Sequence, residues 1–290
     1  MQKSSLRETT TKNDKTDTSD NQTQHKPGNA FLAWIGGKSL LTDQILAIAP
    51  EHTCYVEVFA GAAWMLFRKE PSKVEVINDI NVDLVTLYRV VQNHMDEFVR
   101  YFRWLLVSRE EFERFKAMNP ATMTDIQRAA RFYYLAKTAF GARIKSPSFG
   151  TSTSGAPRLN LLRIEEDLST AHLRLSRVVV ENKPYAEIIA QYDRPHTWFY
   201  LDPPYFNCEN YYGDGIFSRD DFARLADQLA NIKGKFTLSI NDTPEIRQIF
   251  KAFYVKTVKT RYSVASGSSA KAGRDKPVHE LLFTNYDPTR

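Results

Sequence analysis

The stretch Trp198-Phe199-Tyr200-Leu201-Asp202-Pro203-Pro204-Tyr205 decides the fold class. Four aromatic or apolar residues in an unbroken run read as a strand buried on both faces, the pattern of a central strand in a parallel sheet. Two consecutive prolines then end the strand, because proline fixes φ and brings no donor to a ladder. Asp202 therefore stands at the carboxyl end of a buried strand, where open α/β sheets collect their chemistry.

Strand and helix alternate on both sides of this run. Upstream, Tyr55 to Phe59 is β-rich and turns through Gly61-Ala62-Ala63 into a helical stretch reaching Lys69. Val74 to Ile77 is a second strand ending in Asn78-Asp79, and Val82 to Asn93 has helical spacing. Val178 to Glu181 is a strand. Downstream come a helix over Arg219 to Asn231, a strand over Phe236 to Ile240, a helix opened by Thr243-Pro244 and a strand over Leu281 to Thr284. This alternation predicts a largely parallel sheet covered on both faces. The middle third differs. Arg109 to Met118 and Thr124 to Phe140 read as helices, followed by a Ser/Gly/Pro-rich loop from Lys145 to Pro157. Residues 1–27 are too polar to repay the entropy of ordering and are expected to form a disordered tail. The expected organisation is thus that tail, a sheet domain built from residues 28–98 and 178–290, and a helical insert over 99–177.

With 290 residues, 42% of them hydrophobic and 12% aromatic, the chain can fill a large core. No apolar run approaches the roughly 20 residues that span a bilayer, and no apolar signal core follows Met1, so no membrane partner and a cytoplasmic location are expected. The two cysteines, Cys54 and Cys208, are far apart and without ligand pairs, so neither a zinc site nor a disulfide framework is expected. Net charge is +5, unevenly spread. Residues 100–180 carry fourteen Lys or Arg against seven Asp or Glu, and residues 256–276 carry six against one. Two basic stretches flanking the candidate strand fit a polyanionic partner or, equally, a solvated surface.

Asp202 and the Pro203 carbonyl suit one particular task. The exocyclic amine of a nucleobase is a poor nucleophile because its lone pair is delocalised into the ring. Two acceptors that each take one N–H can hold the nitrogen in a more pyramidal form, its lone pair turned toward an electrophile. Tyr205 offers a flat face for a base that has left its stack. Glu57 to Ala63 is a strand entering a helix through a glycine, which lets a ligand approach the backbone or simply packs helix on strand. Asp79, about 20 residues after Gly61, is spaced to accept from ribose hydroxyls or to cap the next helix. Gly36-Gly37-Lys38 misses the spacing of a nucleotide-triphosphate loop, and the dinucleotide pattern GxGxxG is missing too, which speaks against an NTPase and a nicotinamide dehydrogenase.

Taken together, these blocks resemble the Dam-like (D12 class) adenine-N6 DNA methyltransferases from about Ala33 to Tyr286. The resemblance is carried in register by Trp34 to Lys38, Glu57 to Ala63, Asn78 to Asn81, Asp202 to Tyr205, Leu238 to Asp242 and Glu280 to Tyr286. It implies a Rossmann-like methyltransferase sheet with an inserted small helical target-recognition domain over 99–177. It also implies transfer of a methyl group from S-adenosylmethionine to the N6 amine of an adenine flipped out of duplex DNA, with no metal. Asp202, Pro203, Pro204 and Tyr205 would be catalytic. Trp34, Lys38, Glu57, Phe59, Gly61, Asp79 and Asp202 would line the cofactor pocket. Arg128, Arg131, Lys137, Arg143, Lys145, Arg158, Lys271 and Arg274 are the candidate DNA contacts, with Arg143 or Arg158 favoured for base readout.

Double-stranded DNA is the expected partner of a monomeric enzyme, a cognate restriction endonuclease being a further candidate, the enzyme acting at a bacterial nucleoid or being encoded by a phage. Two departures stand out: Val58 where the family often has proline, and Ala63 where it often has a second glycine. The segment after Phe140-Gly141 also departs, so the family's GATC target does not carry over. Methylation of cytosine N4 or of adenine in RNA follows the same electronic logic, and a non-catalytic DNA-binding protein is the alternative from another class.

Overall fold

A computed structural model describes residues 28, 30–32, 34, 38, 40–142, 145–151, 153, 155–156, 159–209, 215–260 and 278–289. The expected tail, Gly36-Gly37 and the DNA candidates Arg143, Arg158, Lys271 and Arg274 lie outside the described residues. Among those described, seven strands form one sheet: β1 (Cys54–Glu57), β2 (Val74–Asn78), β3 (Val179–Glu181), β4 (Thr197–Leu201), β5 (Lys235–Asn241), β6 (Tyr254–Thr260) and β7 (Val278–Thr284). Their order is β3-β2-β1-β4-β5-β7-β6. The first five run parallel, and β7 lies antiparallel between β5 and β6. This is the mixed α/β sheet expected from the alternation, with an antiparallel pair at one edge.

The helices are α1 (Thr42–Leu46), α2 (Trp64–Arg68), α3 (Val82–Asn93), α4 (Met95–Phe102), α5 (Arg109–Ala117), α6 (Asp125–Thr138), α7 (Ile164–Leu175), α8 (Tyr185–Tyr192), α9 (Arg219–Ala230) and α10 (Pro244–Ile249). Several of their starts are chemically specified. Asn81 accepts from the Asp83 and Leu84 amides to cap α3, and Thr124 with Gln127 forms a capping box on α6. Pro244 fills the first turn of α10, where its missing N–H costs nothing, and Thr243 caps it.

Strand alternation sorts side chains into two cores. In β4, Trp198 and Tyr200 enter one cluster while Phe199 and Leu201 enter the other. The Trp198 cluster runs on into α3, α4, α5, α6 and α7, burying Tyr88, Phe98, Phe102, Phe112, Phe115 and Tyr133. The helices between β2 and β3 thus share one core with the sheet, and residue 98 falls inside α4. The second cluster buries Ile188 and Ile189 of α8, Phe222 and Leu225 of α9 and Ile246 of α10. Among the described residues no helix is long and apolar enough to cross a membrane.

Candidate active site

Strand order reverses between β1 and β4, so their connections diverge and leave a crevice beyond their carboxyl ends. Glu57 and Tyr200 are direct register partners there, and Asp202 follows two residues later. Asn78 ties neighbouring strand ends together: its amide donates to the Val58 and Lys183 carbonyls at 3.0 Å each and its oxygen accepts from the Lys183 amide.

The turn after β1 is built from residues that only just fit. Gly61 has φ of 49°, and a β-carbon there would stand 2.7 Å from the Trp34 indole nitrogen. Both the left-handed backbone and the close approach require glycine. Ala63 also sits in the left-handed region, at φ 52°. Glycine would adopt that conformation freely, and alanine holds it at a cost of about 1–2 kcal/mol. Asp79 receives the Gly61 amide at 3.0 Å on one oxygen and the Asn81 amide at 2.9 Å on the other. It therefore braces the turn, while Asn81 caps α3.

Glu57 is buried; its Oε2 accepts from the Tyr55 hydroxyl at 2.9 Å and the Leu66 amide at 3.0 Å. Burial, reinforced by the charge of Asp202, pushes its carboxyl up to about 8 against the lowering by those bonds. Asp202 is pushed up to about 6, chiefly by burial, with Lys38 opposing and Glu280 adding to the rise. Lys38 Nζ lies 3.0 Å from Asp202 Oδ1, donates to the Tyr205 hydroxyl at 2.6 Å and makes a short contact with Glu280 Oε1. The Tyr205 hydroxyl in turn donates to Glu280 Oε1 at 3.1 Å. Ser239 approaches Asp202 Oδ1 at 3.4 Å.

One cavity of about 610 Å³ joins these parts. Every residue expected around a cofactor lines it: Trp34, Lys38, Glu57, Phe59, Gly61 and Asp79, together with Asp202. Pro204 lines it as well. Tyr205 lies beside it with the Lys38 ammonium 4.4 Å from its ring centre. Reading the sequence missed Glu280 as a site residue, and it missed the aromatic wall of Tyr185 and Phe217, whose rings lie 5.8 and 5.9 Å from Phe59. Pro184-Tyr185 follows β3 at the same sheet edge as Asp79 and Asp202, so the strand-end rule would have found Tyr185. No comparable local signal marks Glu280.

The basic candidates within the described residues have internal partners. Arg128 and Arg131 of α6 both reach Asp83 of α3, and Arg131 also donates to the Phe115 carbonyl at 2.8 Å. Lys137 stands 5.3 Å over the Tyr133 ring, its basicity lowered by burial. Lys145 is exposed.

The sequence profile described as "D12 class N6 adenine-specific DNA methyltransferase" matches residues 34–264. Among similar proteins, the type II methyltransferase M.CviBI of Paramecium bursaria Chlorella virus NC1A is 26% identical, covering 88% of this chain and 99% of its own. The DNA adenine methylase of Escherichia coli is 27% identical over 89% and 95%, and the type II methyltransferase M.MjaIII of Methanocaldococcus jannaschii 27% over 88% and 98%. With a match that runs from Trp34 at the cavity wall through Asp202 at the strand end, the chain belongs to the D12 class of N6 adenine-specific DNA methyltransferases.

Proposed function

We propose that the cavity holds S-adenosylmethionine and that Asp202 and the Pro203 carbonyl receive the N6 amine of an adenine extruded from duplex DNA. The observation that carries this reading is that Asp202 and Glu57 end adjacent paired strands and line the same cavity. The donor set fits the cofactor. Its volume lies within the roughly 300–1,000 Å³ of ligand sites. Carboxylates at Glu57, Asp79 and Asp202 suit a cationic amino acid and ribose hydroxyls, and Phe59, Tyr185 and Phe217 suit a purine. When bound, S-adenosylmethionine supplies an electrophilic methyl group on a sulfonium.

The chain's own residues do the rest. Asp202 accepts one amine N–H and the Pro203 carbonyl the other, turning the lone pair out of the ring plane. Two prolines keep that carbonyl fixed and remove competing donors. Pro204 and Tyr205 border the extruded base, whose unstacking costs a few kcal/mol that DNA contacts must offset. No strong base is needed, because the alkylated amine is acidic and sheds its proton readily.

The segment 99–177 is the proposed recognition unit. Lys145, with Arg143, Arg158, Lys271 and Arg274, would reach DNA, while Arg128, Arg131 and Lys137 contribute positive potential from beside their internal partners. The reading includes action as a monomer in the compartment that holds the DNA. The relatives named type II methyltransferases make a cognate restriction endonuclease the partner to seek.

Asp202→Ala tests the reading. It should fold as the parent yet leave no N6-methyladenine when treated DNA is digested to nucleosides. Persistent N6-methyladenine, or N4-methylcytosine as the product of the parent enzyme, would overturn it.

A further inference from the structure

We propose that Glu280 is a positioning residue that shares the Lys38 ammonium with Asp202 and so keeps Asp202 free to receive the target amine; this rests on the role of Asp202 given above. Glu280 is fully buried at the start of β7, opposite Asn241 at the carboxyl end of β5, and hence at the active edge of the sheet. The Lys38 ammonium lies among three oxygens, those of Asp202, Tyr205 and Glu280, and its contact with Glu280 is the shortest. Two carboxylates thus share one cation.

The arrangement is not what stability alone would select. Glu280 Oε2 is buried with no hydrogen-bond partner among the described residues. An orphaned buried oxygen costs free energy, and apolar residues of similar volume serve a core at least as well as buried ion pairs. The next three residues of β7, Leu281, Leu282 and Phe283, are of that kind. A second device points the same way. The Asn241 carboxamide accepts from the Phe206 amide at 2.9 Å and donates to its carbonyl at 3.2 Å, so the turn after the prolines is clamped with the Tyr205 hydroxyl against Glu280.

Glu280 therefore holds both groups that flank Asp202. With its charge present, Lys38 is divided between two anions and Asp202 keeps acceptor strength for an amine. With the charge removed, Lys38 pairs with Asp202 alone and competes with the amine for it.

The test is a cycle of Glu280→Gln, Lys38→Met and the double variant, run beside Asp202→Asn. Glu280→Gln should keep donor and DNA affinity within about twofold while lowering kcat at least about tenfold. In the Lys38→Met background the same change should cost nothing further, because residues acting as one unit are not additive. An unchanged kcat for Glu280→Gln, or losses that multiply in the double variant, overturns the proposal. If Glu280→Gln folds poorly, Glu280→Leu with Lys38→Met replaces the pair by apolar groups. Turnover equal to Lys38→Met then supports the coupling, and further loss overturns it. Full turnover by Asp202→Asn would sink the reading of Asp202 and this inference together. An inactive Asp202→Asn beside a fully active Glu280→Gln would sink this inference only.

Discussion

Trp34 packs its indole edge against the bare α-carbon of Gly61, so that a β-carbon at Gly61 would meet Nε1 at 2.7 Å and Cδ1 at 3.0 Å. The amino-terminal segment and the turn after β1 consequently form one wall of the cavity, and neither can change shape alone. Gly61→Ala adds left-handed strain of about 1–2 kcal/mol and also displaces the indole. We expect donor affinity to fall at least about tenfold, measured by calorimetry, with part of the loss recovered when Trp34→Phe is added. Parent-like affinity in Gly61→Ala would show that Trp34 is not a wall of the donor site.

Asp202 predicts an acidic limb in the rate. A carboxylate raised to about 6 by burial is protonated below that pH, and a protonated acid accepts the amine poorly. kcat/KM on DNA should fall about tenfold per pH unit below about 6 and level off above it. Lys38 lowers the Asp202 value, so Lys38→Met should move the limb to higher pH. A limb that stays in place in that variant would show that another group titrates.

With the donor in the proposed site, Glu57 should couple its binding to a proton. Burial lifts its carboxyl to about 8, so the free protein holds a proton there at pH 7. An ammonium group placed beside it favours the carboxylate and expels that proton. Binding heats at pH 7 should therefore vary with buffer ionisation enthalpy, and affinity should rise with pH up to about 8. Glu57→Gln should remove both effects. The linkage sign for folding follows from the same shift. Between its unfolded value near 4.5 and its folded value of about 8 the native chain binds the extra proton, so Glu57 lowers stability as pH climbs through that window. Buffer-independent heats would place the ammonium away from Glu57.

Particular residues show what the sequence alone could convey. Trp198 to Leu201 was legible because a strand covered on both faces leaves an uninterrupted apolar run, and the register of β4 with β1 and β5 agrees with it. Asp79 and Asp202 were legible because parallel strands all deliver their carboxyl ends to one edge. Helix α4 was not marked. Only His94 separates it from α3, and its buried Phe98 and Phe102 make too short a pattern to fix a period. Edge strand β6 is mostly exposed, so no buried run announces it. Lys38 and Glu280 lie 242 residues apart, and no spacing rule reaches that far. Ala63 is a mixed case: the missing glycine was visible as a departure, but only the backbone shows that the position needs a positive φ.

Away from the cavity, a buried ion cluster joins α7 to the amino end of β2 and should govern stability without touching catalysis. Glu75 Oε1 receives Arg174 Nη2 at 2.8 Å, Lys69 Nζ at 2.7 Å and the Ser72 amide at 3.0 Å, with Arg174 Nη1 on Oε2. All three charged side chains are about 5% exposed or less, so solvent screens them little. Burial pushes the Glu75 carboxyl up, but the bonds and charges of Arg174 and Lys69 outweigh it and hold the group below its ordinary value. A depressed carboxyl contributes stability above its unfolded value and loses it as pH falls through the folded one. Glu75→Ala leaves two buried cations without their anion and should cost about 3–5 kcal/mol in urea unfolding at neutral pH. That cost should shrink in acid, where the parent also loses the charge. Because none of the three side chains lines the cavity, donor affinity of the folded fraction should stay at the parental value. A variant that kept its unfolding midpoint would show that the cluster is stabilised by neighbouring contacts rather than by its charges.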